Sequence, residues 1–394
     1  MTPTELYVHI PFCMKKCAYC DFLSGPYDAQ IRKRYTKALI RELVYHARRM
    51  DDCEIVTVYV GGGTPTWLET RLMERIMKTI SRNFHVASDA EITIECNPKT
   101  ATQKDMNLYR SMGFNRISIG LQSANPQELE VLGRVHDYET FVRTFDFARQ
   151  AGFDNISVDL MTGIPGQTPG SLKNTIDKVT LLQPEHISCY ALIIEEHTAF
   201  WEKYGADDQR RRQGLPTEYL PNEDQEYELY KFAQRYLSEK GYGQYEISNY
   251  AKMGHVCRHN IGYWKRVPYL GVGIGAASLL DEIRYTNPAE IYDYMERIED
   301  NHFPIYAEAE AVSRAAAMEE FMFLGLRMTE GVQRREFEET FGISMDAVYG
   351  PVISELTGQG LLESAEGFVR LSDRGMDLGN YVMSCFLFDR DASS

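Results

Sequence analysis

"LYVHIPFCMKKCAYCDF", residues 6–22, joins a short run of apolar and β-branched residues to a loop holding three cysteines, Cys13, Cys17 and Cys20, at spacings of four and three. The run reads as a strand, and the cysteines follow directly at its carboxyl end. The same arrangement recurs along the chain. Runs at 55–60 (IVTVYV), 91–95 (EITIE), 116–120 (RISIG), 156–160 (ISVDL) and 186–194 (HISCYALII) alternate with helical stretches. Six strands with helices between them predict a parallel α/β sheet. Unusual residues gather after each strand: the cysteine loop, then GGGTP, CNP, LQS and MTGIPGQT. A (β/α) barrel builds its active site from such loops, so the expected fold is a partial (β/α)6 barrel, open on one side. A doubly wound sheet also sets sites at strand ends, and periodicity alone leaves that alternative standing.

Helix punctuation agrees with the α/β reading. Asp28 precedes a helical stretch running to Met50, Thr102 precedes QKDMNLYRSMG with Gly113 as its stop, and a helix is expected from Asn222 to Lys240. The stretch VPYLGVGIGAASLL, residues 267–280, is shorter than the ~18 residues of a membrane span and reads as a buried strand and turn. Three segments are expected: a barrel core over 1–195, an insertion and barrel-completing segment over 196–311, and a winged-helix-like module over 312–394. The insertion is polar and contains DDQRRRQ, 207–213; its arginine run, Arg210 to Arg212, reads as a solvated face, with neutralisation of an anionic ligand as the alternative.

Composition narrows the function. With 394 residues, 44% of them hydrophobic, the chain buries a large core without disulfides. Its 42 basic and 57 acidic residues give a net charge of −15, which disfavours nucleic acid and anionic lipid, so the winged-helix-like module reads as a packing domain. The start, MTPTELYVHI, lacks a secretory pattern, and a cytoplasmic location with eight reduced or metal-bound cysteines is expected. Cys53, Cys96, Cys189 and Cys385 read as small core residues.

Three clustered cysteines suit a zinc site, a redox pair with a bystander, or an iron–sulfur site. Structural zinc usually shows a second cysteine or histidine pair, and none lies nearby; a redox pair leaves Cys13 surplus. A CxxxCxxC triplet leaves one iron of a four-iron cluster open to an external ligand, and an enzyme needing such an iron is the best explanation.

CMKKCAYC after the first strand, GGGTP after the second and the glutamate of IECNP after the third resemble the radical S-adenosylmethionine superfamily, and the chain is similar to its HemN/HemW group to about residue 385. The resemblance implies a [4Fe–4S] cluster on Cys13, Cys17 and Cys20, whose free iron chelates S-adenosylmethionine and whose electron cleaves the sulfonium. It implies cofactor contacts at Tyr7, Tyr19, Gly62, Gly63, Thr64, Glu95, Gln122, Arg134, Asp159 and Ala191. Asp159 suits the ribose hydroxyls, and Glu95 or Arg134 the charged methionine end.

That group contains oxygen-independent coproporphyrinogen III oxidases and haem chaperones. The oxidase pattern resembles CxxxCxxCxC, whereas this chain has Phe22 at the last position; the oxidases carry a long extension before the first strand; and HNIGYW, 259–264, fits the HNxxYW motif of the chaperone branch. The expected function is therefore haem binding and delivery to haem-accepting proteins, with reductive cleavage of S-adenosylmethionine retained and coproporphyrinogen oxidase activity absent. A tetrapyrrole-modifying radical enzyme is the alternative. His259 is the expected cofactor-binding residue for haem, with Tyr263 and Trp264 against the macrocycle; Cys257, His9, His136 and His255 are the other candidate ligands. No membrane span and no nucleic acid partner are expected. Peripheral contact with membrane haemoproteins and a homodimer are left open.

Overall fold

Alternation of core and inner residues along six parallel strands sets the architecture. In the computed structural model, which describes residues 1–365 and 367–388, these are β1 (Thr2–Ile10), β2 (Cys53–Gly62), β3 (Val86–Cys96), β4 (Arg116–Gln122), β5 (Ile156–Thr162) and β6 (His186–Ala191). Each pairs in parallel with the next, in sequence order. Leu6, Val8, Val58, Val60, Ile94, Ile117, Ile119, Val158, Leu160 and Ile187 pack outward into one core with the surrounding helices. The residues between them therefore face inward, because side chains alternate along a strand. All seven residues of β4 are buried, as expected for a strand covered on both faces.

The helices begin where their caps place them. Asp28 accepts from the backbone of Gln30 and Ile31 and opens the helix Ala29–Ala47; Thr102 and Asp105 form a capping box ahead of Gln103–Ser111; Asn222 and Gln225 do the same for Glu223–Glu239. The run read as a strand to 194 ends at Ala191.

Residues 243–311 add strands to both edges of the sheet. β7 (Gly243–Glu246) and β8 (Asn249–Ala251) attach antiparallel beyond β6. On the other side β9 (Tyr269–Val272) runs parallel to β1, followed by antiparallel β10 (Ala277–Leu280), β11 (Ile283–Thr286) and β12 (Glu308–Ala311). The result is one open sheet of twelve strands, with β7 and β12 at its edges. The 267–280 stretch forms the expected strand and turn and then a second strand, β10.

The polar insertion is more ordered than its composition suggested. Residues 199–212 form a helix whose Asp208 side chain is fully buried and pairs with Arg211 and Arg212, while Arg211 also meets Glu226. Arg210 donates to the Pro216 carbonyl at 2.8 Å. Arg210 and Arg212 are exposed, as the solvated-face reading expected, while Arg211 is half-buried between Asp208 and Glu226.

The last part of the chain has its own hydrophobic cluster around Met322, Phe337, Ile353 and Val369. Helices Arg314–Gly325, Arg334–Phe341 and Met345–Gly358 precede the hairpin of β14 (Leu362–Ala365) and β15 (Phe368–Leu371), with short β13 (Val332–Gln333) pairing to β15. Three helices and a hairpin are the winged-helix-like arrangement.

Candidate functional site

At the carboxyl ends of β1 to β6 the inward residues surround a polar cleft of about 300 Å³. Alternation selects its walls: Tyr59 from β2, Glu95 from β3, Ser118, Gly120 and Gln122 from β4, Asp159 from β5, and Ser188 and Tyr190 from β6. The cysteine loop closes one side with Cys13, Cys17, Tyr19 and Cys20. Backbone bonds from Cys13 to Gly25, from Ala18 to Leu132 and from Phe200 to Ala18 fix this loop, so the insertion helix buttresses it.

A continuous polar chain joins two of the thiols. The Thr64 hydroxyl donates to Cys13 Sγ at 3.7 Å and accepts from Asn97 Nδ2 at 2.7 Å. Asn97 Oδ1 accepts from Arg134 Nη2 at 2.6 Å, and Arg134 Nη1 donates to Cys17 Sγ at 3.4 Å. Arg134 Nη2 also reaches the Gly120 carbonyl, which aims the guanidinium into the cleft. Burial pushes the Cys13 and Cys20 thiols up, opposed at Cys13 by hydrogen bonds.

The residues fit the two groups that the cysteine loop and the GGG turn suggest. Among the described residues no three His, Cys, Asp or Glu side chains converge as tightly as a single metal ion requires. A four-iron cluster spreads its thiolates over different irons, and three cysteines around one cleft with Arg134 beside them suit it. The turn after β2 offers backbone to a polar ligand: Gly62 sits at φ +110°, and a Cβ there would lie 2.5 Å from the His9 ring. Glu95 accepts from Gly62 N–H at 2.9 Å and from Tyr59 at 2.8 Å, and burial raises its pKa to about 7. Asp159 accepts from Ser118 at 3.0 Å and is likewise raised by burial, while Gln122 accepts from Tyr190 at 3.1 Å.

Ten of the expected ligand and cofactor residues and Thr64 thus meet in one cleft: Cys13, Cys17, Cys20, Tyr19, Gly62, Gly63, Glu95, Gln122, Arg134 and Asp159. Three do not. Ala191 is exposed at the end of β6, where its parity opposes that of Ser188 and Tyr190. Tyr7 faces a neighbouring cavity described below. His259 lies in the interior, 1% exposed. Its Nδ1 is bonded to Thr57 at 2.7 Å and its Nε2 to the Tyr263 hydroxyl at 3.0 Å. Both ring nitrogens are therefore spent, and the expectation that His259 offers one to haem iron is corrected. Burial lowers its pKa to about 3 and raises that of Glu5, 3.8 Å away, to about 9, so the two face each other uncharged.

Cys257 is equally withdrawn. It is fully buried, donates to Glu91 Oε1 at 3.6 Å, and its thiol is pushed up to about 12. The Glu91 carboxylate also accepts from the backbone of Arg258 and His259, holding the start of helix Arg258–Trp264. His136 is buried and His255 half-buried, and neither lines the cleft.

The sequence reading missed Asn97, Tyr59, Ser118, Ser188, Tyr190, Cys96, Asn249 and Asn260 as cleft residues. Tyr59, Ser118, Ser188 and Tyr190 were legible from parity once Glu95 and Asp159 were taken as inward. Asn249 and Asn260 come from β8 and the 258–264 helix, and only the folded chain brings them there.

Beside the cleft lies a larger, mainly apolar cavity of about 620 Å³. Tyr7, Phe22, Tyr263, Trp264, Tyr269 and Phe323 supply its aromatic walls. Arg266 and Arg284 stand at its polar side, each bonded to Glu320 at 2.8 Å. Phe22, 64% exposed, borders both spaces.

Comparison with known proteins gives consistent matches. Residues 7–179 match the radical SAM superfamily and residues 312–378 the HemN C-terminal domain. The chain is 36% identical to the heme chaperone HemW of Bacillus subtilis (strain 168), over 97% of this chain and 98% of that protein. It is 30% identical to the heme chaperone HemW of Escherichia coli (strain K12), over 98% and 99%. Among solved structures, coproporphyrinogen III oxidase (HemN) from Escherichia coli, a radical SAM enzyme, superimposes with a TM-score of 0.82 at 24% identity, covering 98% of this chain and 90% of that one. The last likeness speaks to the fold.

Proposed function

The chain belongs to the HemW family of the radical SAM superfamily, and from that premise we propose that it is a haem chaperone that binds haem and passes it to haem-accepting proteins. A [4Fe–4S] cluster on Cys13, Cys17 and Cys20 and S-adenosylmethionine belong to the polar cleft, and haem to the apolar cavity beside it. The observation that carries the reading is that cavity. It is large, walled by aromatic rings, and borders the cleft through Phe22, the position where the oxidase pattern has cysteine. Flat apolar macrocycles are held by such walls.

This chain's residues have definite tasks in that scheme. Arg134 places a fixed positive charge beside Cys17, and Asn97 keeps Thr64 turned toward Cys13. The Gly62–Gly63–Thr64 turn presents backbone to the methionine end, Glu95 holds that turn, and Asp159 is the acceptor for ribose hydroxyls. When bound, the cluster supplies a reducing electron to the sulfonium. Phe22 and Tyr19 line the cleft beside the cysteines. The setting is the cytoplasm, where thiols stay reduced; among the described residues no helix is long and apolar enough to cross a membrane.

The test uses the full chain, reconstituted anaerobically and incubated separately with ferric haem and with coproporphyrinogen. Retention of haem and its passage to an apo-haemoprotein, without decarboxylated product, is the expected result. Turnover of coproporphyrinogen overturns the reading in favour of a tetrapyrrole-modifying enzyme.

A further inference from the structure

The polar chain between the thiols has a direction, and Asn97 sets it. Arg134 carries N–H groups and no acceptor, so the Asn97 amide must turn Oδ1 toward Nη2, 2.6 Å away. Its Nδ2 is thereby aimed at the Thr64 hydroxyl, 2.7 Å away, and donates into a lone pair there. A hydroxyl has one proton, and that of Thr64 is left to point at Cys13 Sγ, 3.7 Å away. On the other side Arg134 Nη1 donates to Cys17 Sγ at 3.4 Å. Each of these two thiols thus receives a hydrogen bond from a side chain that Asn97 orients.

The surroundings hold Asn97 in this pose. Its carbonyl accepts from the Thr100 N–H at 3.2 Å and from the Thr100 hydroxyl at 2.6 Å, which fixes the turn after β3. Opposite, Gly120 of β4 leaves room for the pair. A Cβ at Gly120 would lie 3.0 Å from Asn97 Oδ1, 3.0 Å from Gln122 Nε2 and 3.2 Å from Arg134 Nη2. The φ of Gly120 is not positive, so close approach and not backbone conformation asks for glycine there.

We infer that Asn97 is a positioning residue for the cluster, orienting the hydrogen bonds to Cys13 and Cys17 and so setting the potential at which the cluster takes up an electron. The inference rests on Cys13, Cys17 and Cys20 being the cluster ligands. Hydrogen bonds to the sulfurs favour the reduced form, which carries one more negative charge, and their loss moves the potential to more negative values. In Asn97→Ala the Thr64 hydroxyl is free to rotate away, and Arg134 Nη2 keeps the Gly120 carbonyl alone. In Asn97→Asp the oxygen facing Arg134 is retained, but the other oxygen accepts the Thr64 proton and turns it from Cys13.

The experiment reconstitutes the full-length chain anaerobically, without S-adenosylmethionine or haem. It follows the midpoint potential by electron paramagnetic resonance and iron loss to a chelator. Asn97→Ala, Asn97→Asp and Thr64→Val should each have a more negative potential than the wild type, and Asn97→Ala should lose iron about tenfold more readily. Because Asn97 acts on Cys13 through Thr64, Asn97→Ala should shift the potential less in a Thr64→Val background than alone. Should Asn97→Ala hold no cluster, Thr64→Val and Asn97→Asp decide, since both keep an oxygen on Arg134. Potentials equal to the wild type in those variants, or shifts that simply add in the double variant, overturn the inference and leave the cluster reading standing. A wild-type chain that assembles no four-iron cluster overturns that reading and the inference with it.

Discussion

In the loop 13–20 three thiols line an open cleft, with Arg134 beside Cys17 and the Thr64 hydroxyl bonded to Cys13. In the segment 257–264 an equally metal-ready set, Cys257 and His259, is enclosed by Glu91, Thr57, Tyr59 and Tyr263. The two regions share residue types and differ in what satisfies them. The loop hangs beyond the end of β1, and its neighbours leave the sulfurs available. The helix is inserted across the inner face of β1 and β2, and the Cys257 thiol at its start and both His259 ring nitrogens find partners there. A side chain competent to bind a metal is a ligand only where the fold leaves its lone pair unspent.

The largest effect that separates the regions is loss of the cluster. Replacing Cys13, Cys17 or Cys20 by Ala should abolish the visible absorbance of the reconstituted chain and deplete its iron, whereas Cys257→Ala should keep both. Equal loss in all four variants would break the contrast. Next comes stability: His259→Ala leaves Thr57 and Tyr263 without their buried partner, and should cost about 2–3 kcal/mol in urea unfolding with the cluster intact. A variant as stable as the wild type would mean that the helix is not held as described.

Within the cleft, Asp159→Ala should weaken S-adenosylmethionine binding by about 1–3 kcal/mol by calorimetric titration, because it removes an acceptor from a buried hydroxyl. A further effect is a pH slope. Glu5 is raised from 4.5 to about 9, so the folded chain holds a proton that the unfolded chain releases. Its stabilising contribution is present below about 4.5 and is lost as pH climbs toward 9. His259, lowered from 6.5 to about 3, acts in the opposite sense below 6.5, which confines the net decline to the range above. Glu5→Gln should flatten the urea midpoint between pH 6.5 and 9; an unchanged slope would show that Glu5 is ionised in the fold.

The barrel strands and the cleft were legible because both rest on short-range pattern. Hydrophobic alternation gives the strand faces, and motif residues sit within a few positions of strand ends. What escaped was set by long-range packing. Nothing local to His259 says that Thr57, 202 positions away, takes its Nδ1. Nor does the composition of 207–213 say that Asp208 turns inward to gather Arg211 and Arg212. Tyr7 was legible as an inward residue, but the cavity it faces exists only once β9 has joined β1.

The open sheet has two edges, and each is guarded in its own way. At β7 the last module reaches over: Thr329 donates its backbone N–H to the Tyr245 carbonyl at 3.0 Å, and Glu246 bridges to Met328. At β12 all four residues, Glu308 to Ala311, are exposed, and two of them are glutamates. A second chain pairing antiparallel along that rim would bring carboxylates face to face, and like charges across a strand pair repel. The sheet can thus stay unclosed while both of its rims are blunted against pairing with another chain.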